Sequence, residues 1–226
     1  MVSAALVNSR VNYGFIKVAA ALGFPYQWYR PGTVAGAAIQ PGNLLGTVTA
    51  YITTDASLKS LVPPSDATPY WFGAYDTTLT QPGDYLVGNL GTFFIGAEFL
   101  PAPASLVFCN VTFTLTRSQA QTPGPAFQFG GGLGNSVLAT AFPGWIKAAD
   151  RRQPAPLHLP GEPNMASSNV ILPQSIPGQI LREDVLVSNE ALPRKFLVQS
   201  ADLAFANWNL VVVDGGRAVS ADTTAS

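Results

Sequence analysis

A hydrolytic triad needs a histidine or an equivalent base, and this chain has one histidine, His158. It stands in the run Pro154-Ala-Pro-Leu-His-Leu-Pro160 with no acid or cysteine beside it, a setting that suits a solvated or interface side chain better than a catalytic one. One cysteine, Cys109, and one histidine cannot build a Cys/His zinc site. The acidic residues are scattered and form no Asp-x-Asp-x-Asp-Gly loop. The thirteen acids do not exclude a distant pair for glycoside hydrolysis, yet nothing points to one. Asp84 and Asp184 follow Gly83 and Glu183 and read as turn residues that accept local N–H bonds. Gly130-Gly131-Gly132-Leu133-Gly134 lacks the Lys-Ser/Thr of a phosphate loop and reads as a linker. The chain is therefore expected to be no enzyme and to carry no cofactor and no metal.

Aromatic residues remain as candidates for contact rather than chemistry. The four tryptophans, Trp28, Trp71, Trp145 and Trp208, suit core or interface anchoring better than a carbohydrate platform. Trp28, Tyr29, Trp71, Phe72 and Trp145, with Pro156 and Pro160 of the Pro-rich run, are the residues expected at an interface.

The charge content explains why an interface is expected at all. Only 11% of residues are charged, against about 25% in an ordinary soluble domain. From Pro31 to Trp145 there are seven charges in 115 positions: Lys59, Arg117, Asp55, Asp66, Asp76, Asp84 and Glu98. A free-standing globule needs surface charge for solubility, so a chain this poor in it is expected to cover much of its exterior with other chains. The net charge of −1 draws it neither to nucleic acid nor to an anionic membrane. Apolar stretches stop short of the ~18 residues of a membrane helix, and Met1–Arg10 lacks the pattern of a secretory signal.

The elements that must position these residues are mainly β. Asn12 to Leu22 reads as a short helix capped by Asn12 and stopped by Gly23 and Pro25. Strands are expected at Leu44–Thr53, Tyr70–Tyr75, Tyr85–Val87 and Gly91–Glu98. A single strand is expected at Leu106–Thr116, whose wholly apolar set Val107, Cys109, Val111, Phe113 and Leu115 should face a core. A faint internal repeat aligns Gly83-Asp84-Tyr85-Leu86-Val87 with Glu183-Asp184-Val185-Leu186-Val187, each followed by a hairpin and a last strand. In the first copy that last strand ends in Phe113 and Leu115, and in the second it is Trp208–Val213.

The expected architecture is two small antiparallel β-barrel-like units of SH3 or OB type, with a short N-terminal helix and extended Pro/Gly-rich arms. Residues 1–30 form the N-terminal arm with the helix, and 31–117 the first barrel. Residues 118–178 are linker and extended arm, 179–218 a second, smaller β unit, and 219–226 a disordered tail.

The stretch Gln81-Pro-Gly-Asp-Tyr-Leu-Val-Gly-Asn-Leu-Gly-Thr-Phe-Phe-Ile-Gly-Ala-Glu98, closing with Cys109-Asn-Val-Thr-Phe-Thr-Leu-Thr-Arg117, resembles the barrel of tailed-bacteriophage head-to-tail connector and neck proteins. The opening from Tyr13-Gly14 through Ala19-Ala-Ala-Leu-Gly-Phe-Pro-Tyr26 to Tyr29-Arg-Pro31 is similar to proteins of phage structural-gene clusters. The resemblance implies a structural virion protein, made in the host cytoplasm. It would form a six- or twelve-fold ring with copies of itself between capsid portal and tail. Its neighbours would be portal, connector, sheath or tail-tube proteins, with DNA passing through the lumen without sequence-specific binding and no membrane involved. The alternatives are a peripheral tail or baseplate β module for receptor or glycan binding, which would use Trp71 or Trp28, and, from a further class, a cell-wall hydrolase.

Overall fold

The computed structural model describes residues 3–32, 36–58, 69–118, 135–147 and 167–217. One helix, α1 (Ala4–Leu22), precedes twelve strands: β1 (Phe24–Tyr29), β2 (Leu44–Thr53), β3 (Tyr70–Ala74), β4 (Tyr85–Gly88), β5 (Gly91–Ala97), β6 (Ala104–Cys109), β7 (Val111–Ser118), β8 (Asn135–Lys147), β9 (Ser167–Pro173), β10 (Val185–Ser188), β11 (Arg194–Ala204) and β12 (Asn207–Arg217). They close into two antiparallel barrels, in the orders β1-β2-β3-β6-β5-β4 and β7-β8-β9-β12-β11-β10. Adding six to each strand number of the first order gives the second. The two units are therefore one topology used twice, with six strands in each where the OB fold has five.

The duplication extends to register. In the first barrel Leu86 pairs with Trp28 and with Phe93; in the second, Leu186 pairs with Leu115 and with Phe196. Both hairpins that follow carry a bulge at the same place, Gly96 between Ile95 and Ala97, and Gln199 between Val198 and Ser200. Each barrel also holds an edge-on aromatic pair at the same place. Tyr26 lies against Phe93 at 6.4 Å and 75°, and Phe113 lies against Phe196 at 6.3 Å and 75°.

Tyr26 and Phe113 thus occupy one position in two copies, but only Tyr26 carries a hydroxyl there, buried and without a hydrogen-bond partner. Burial pushes that phenol up to about 12. An unsatisfied buried donor costs ~1–3 kcal/mol. Tyr26→Phe, which copies the twin position, is therefore expected to raise stability by about 1 kcal/mol, read as a higher midpoint in chemical denaturation.

Several boundaries differ from those the sequence led one to expect. The helix starts at Ala4, with Ser3 as its cap: the Ser3 Oγ accepts from the Leu6 N–H at 3.3 Å. Asn12 is no cap but lies mid-helix, buried. It donates to Asp76 Oδ1 at 3.0 Å and accepts from the Thr77 N–H and hydroxyl at 3.1 and 2.9 Å, which ties α1 to the loop after β3. Residues 24–29 are the first strand of a barrel rather than part of an arm, because Tyr26 and Trp28 supply its core.

The expected strand Leu106–Thr116 is two strands, β6 and β7, in different barrels. The break is Asn110, whose side chain mimics a backbone neighbour of β8: it donates to the Ile146 carbonyl and accepts from the Ile146 N–H, both at 2.9 Å. The alternation itself holds. Val107, Cys109, Val111, Phe113 and Leu115 all lie in one apolar cluster, while Leu106 and Phe108 belong to the first barrel's core. The division into 31–117, 118–178 and a smaller 179–218 therefore gives way to barrels of 24–109 and 111–217. The second is as large in strands as the first, because β7, β8 and β9 belong to it. Residues 167–173 at the end of the Pro-rich run form the strand β9; Gly130–Gly134, His158 and the tail 219–226 lie outside the described residues.

The barrels share a seam. A transverse row of outward-facing residues on the first barrel, Tyr29, Tyr85, Phe94 and Val107, joins the second barrel's core cluster. Ala38, from the β1–β2 connection, is buried in the same cluster. The Tyr85 hydroxyl donates to the Pro143 carbonyl at 2.8 Å, and the Ser175 hydroxyl donates to the Gly83 carbonyl at 2.8 Å. Gly83 has φ +94°, and a Cβ there would stand 2.9 Å from Ser175 Cβ, so glycine serves both the turn and the close approach.

Candidate functional site

The polar groups that the fold concentrates form the same clasp twice. Asp84 is buried at the turn before β4 and receives two bonds from Arg30, at 2.9 Å from Nε and 2.8 Å from Nη2. The Gln81 N–H at 3.1 Å and Trp28 Nε1 at 2.7 Å complete its shell. Asp184, before β10, receives Arg117 Nε at 2.7 Å, Arg117 Nη2 at 2.8 Å and the Leu181 N–H at 2.8 Å. Both arginines also reach a loop carbonyl: Arg30 that of Leu79 at 3.4 Å, Arg117 that of Gln179 at 2.6 Å. The backbone repeats too. Gly83 donates to Ile95 and Ile95 to Asp84, as Glu183 donates to Val198 and Val198 to Asp184. The carboxylates were legible as turn residues, but their arginines were missed. The available signal was an Arg following an apolar β stretch in each half, one residue beyond the strand position that pairs with Tyr85 or Val185.

These clasps are structural. A planar guanidinium paired to both oxygens of a carboxylate fixes the geometry of the pair, and every contact described for each clasp lies within the chain. Each clasp pins the end of one strand, β1 or β7, to the turn that launches its neighbour. In each arginine the bond to aspartate raises an already high pKa, so the cation persists at any working pH.

The expected interface residues separate into three groups. Trp71 and Trp145 are core: Trp71 is 4% exposed and meets Phe93 edge-on at 5.3 Å, and Trp145 is 6% exposed in the second cluster. Tyr29 is buried, but in a seam between barrels of one chain. Trp28 and Phe72 are half-buried, Trp28 with its indole N–H held by Asp84. Pro156 and Pro160 lie outside the described residues. Trp71 and Trp145 are thus corrected from interface to core. An aromatic residue at a barrel-inward position is buried by its own sheet, and composition cannot distinguish that from burial by a partner.

A cleft of about 340 Å³ lies where β6 passes into β7, lined by Thr92, Cys109, Asn110, Pro143, Asn189 and Glu190 among others. Burial pushes the Cys109 thiol well up, so it stays protonated and acts as a small apolar group. Among the described residues no three of His, Cys, Asp and Glu come together as metal ligands.

Glu98, after β5, is a half-buried acid. It accepts the Tyr75 hydroxyl at 3.0 Å and the Thr80 hydroxyl at 2.6 Å. Burial raises its pKa more than those bonds lower it. A carboxyl raised on folding lends stability below its unfolded pKa and loses it as pH climbs through the folded one. Glu98→Gln is therefore expected to unfold at a higher temperature than the parent at pH 7, with the gap closing at pH 4.

The exposed surface supplies what the interior does not. On α1, Leu6, Val7 and Tyr13 are exposed at 44%, 43% and 60%. The β11–β12 hairpin ends in the two-residue loop Phe205-Ala206, both at positive φ, and lifts Phe205 to 79% exposure beside Leu203 at 54%. Sequence reading did not single out these positions. The signal was present in α1, where Leu6, Tyr13 and Lys17 share a stripe with Arg10 and no acid follows. No family model, no curated protein and no solved structure matches the chain.

Proposed function

We propose that this protein is a structural virion component of a tailed phage: a ring-forming neck or connector subunit that joins portal to tail around the DNA passage. The observation that carries this reading is the exposed apolar surface of α1, the hairpin tip and the outer sheet of the second barrel, on a chain with only 11% charged residues. Two barrels locked by a shared apolar seam make a rigid block, and rigid blocks with uncovered apolar faces are what closed assemblies are built from. A near-neutral charge suits a passage through which DNA must slide rather than stick.

The purified full chain, viewed by negative-stain electron microscopy, should form closed rings of six or twelve copies, and an antibody to the chain should label the neck of virions that contain it. A monomer at every concentration, absent from virions, would overturn this reading.

A further inference from the structure

We propose that the outer face of β10–β12 receives the α1 end of a second copy of this chain, joining copies head to tail. This rests on the assembly reading above and names its contact.

The duplication identifies the face. On the first barrel the outward row Tyr29, Tyr85, Phe94 and Val107 is covered by the second barrel. Register carries that row to Thr116, Val185, Leu197 and Val213 on the second barrel. The neighbouring outward row carries Val87 to Val187. This second row is aliphatic at Val185, Leu197 and Val213 with Thr116 at its edge; Val213 is buried, but Leu197 is 43% exposed and Val185 and Val187 are half-exposed. Among the described residues no helix lies on it.

The same comparison identifies the occupant. Strands β5 and β6 of the first barrel contact β9 and β8 of the second. Their counterparts in the first barrel, β3 and β2, are contacted by α1. The helix therefore stands before barrel one where barrel one stands before barrel two, as a terminal cap does in a repeat array. Among the described residues, one end of the two-barrel stack is capped by α1 and the other carries no such cap. A cap that still exposes Leu6, Val7 and Tyr13, set between the cations Arg10 and Lys17, has a second, partly apolar side to bury. Pairing the capped end of one copy with the bare end of the next is heterologous, and closes a ring when the rotation per copy permits.

The test uses the full chain and two surface variants, Leu197→Asp and Tyr13→Asp, each checked for native-like thermal unfolding and then sized by light scattering. In the expected result the parent forms large assemblies and each variant alone is monomeric. An equal mixture of the two then forms dimers, because each variant keeps one intact face. A Tyr13→Asp protein that assembles like the parent while Leu197→Asp stays monomeric would overturn the proposal in favour of a face that pairs with itself. A monomeric parent would overturn it as well, with the chain's own segments 119–134 or 148–166 as the cover. Rings that form through neither residue would remove this contact and leave the assembly reading standing. Head-to-tail assemblies that never enter virions would do the reverse.

Discussion

Arg30→Ala should destabilise the protein by about 3–5 kcal/mol, and Arg117→Ala should do the same from the other barrel. Each removes the sole cation bound, among the described residues, to a carboxylate that is 1% or 2% exposed, and leaves that charge buried without its partner. Asp84→Ala should cost less, about 2–3 kcal/mol. The freed Arg30 side chain is 35% exposed and can turn to water, so the penalty falls on the orphaned Gln81 N–H and Trp28 indole. Removing both partners should therefore cost less than the sum of the single losses, which a double-mutant cycle in chemical denaturation reads directly. Arg30→Lys should recover little, because a single ammonium cannot span both oxygens and also reach the Leu79 carbonyl. Both barrels draw on one apolar cluster through Tyr29, Tyr85, Phe94 and Val107, so any of these lesions should lower one shared transition rather than split it in two.

The clasps also mark where sequence reading succeeds and where it stops. A Gly-Asp or Glu-Asp turn before an alternating apolar strand is a local signal, and it gave both launching turns and the repeat. The arginines sit 54 and 67 residues from their aspartates in the chain, and such a pairing exists only once a barrel closes β4 on β1 or β10 on β7. Pattern likewise predicted that Val107, Cys109, Val111, Phe113 and Leu115 share a core. It could not show that Asn110 breaks the run, since that turn depends on the Ile146 backbone of another strand. The charge deficit predicted covered surface, but the tryptophans chosen to supply it were inward residues. The exposed apolar positions on α1 and at Phe205 became visible only when the duplicated barrels showed which faces were already filled.

Trp71→Ala should damage the first barrel about as much as the loss of Arg30, costing about 3–5 kcal/mol. The ring lies between Phe93, edge-on at 5.3 Å, and Phe108, tilted at 6.2 Å. Removing it leaves a cavity that the surrounding closed sheet cannot collapse around, because every strand is held on both edges. Trp71→Phe keeps one ring in place and should cost well under half as much. The pair separates core from platform: a tryptophan serving a glycan surface would leave unfolding unchanged in both variants and lose binding instead. The expected outcome is a large drop in the unfolding midpoint for Trp71→Ala beside native-like unfolding for the surface change Tyr13→Asp. Interior aromatics would then set stability, and α1 and the outer sheet of the second barrel would be free to vary with the partner.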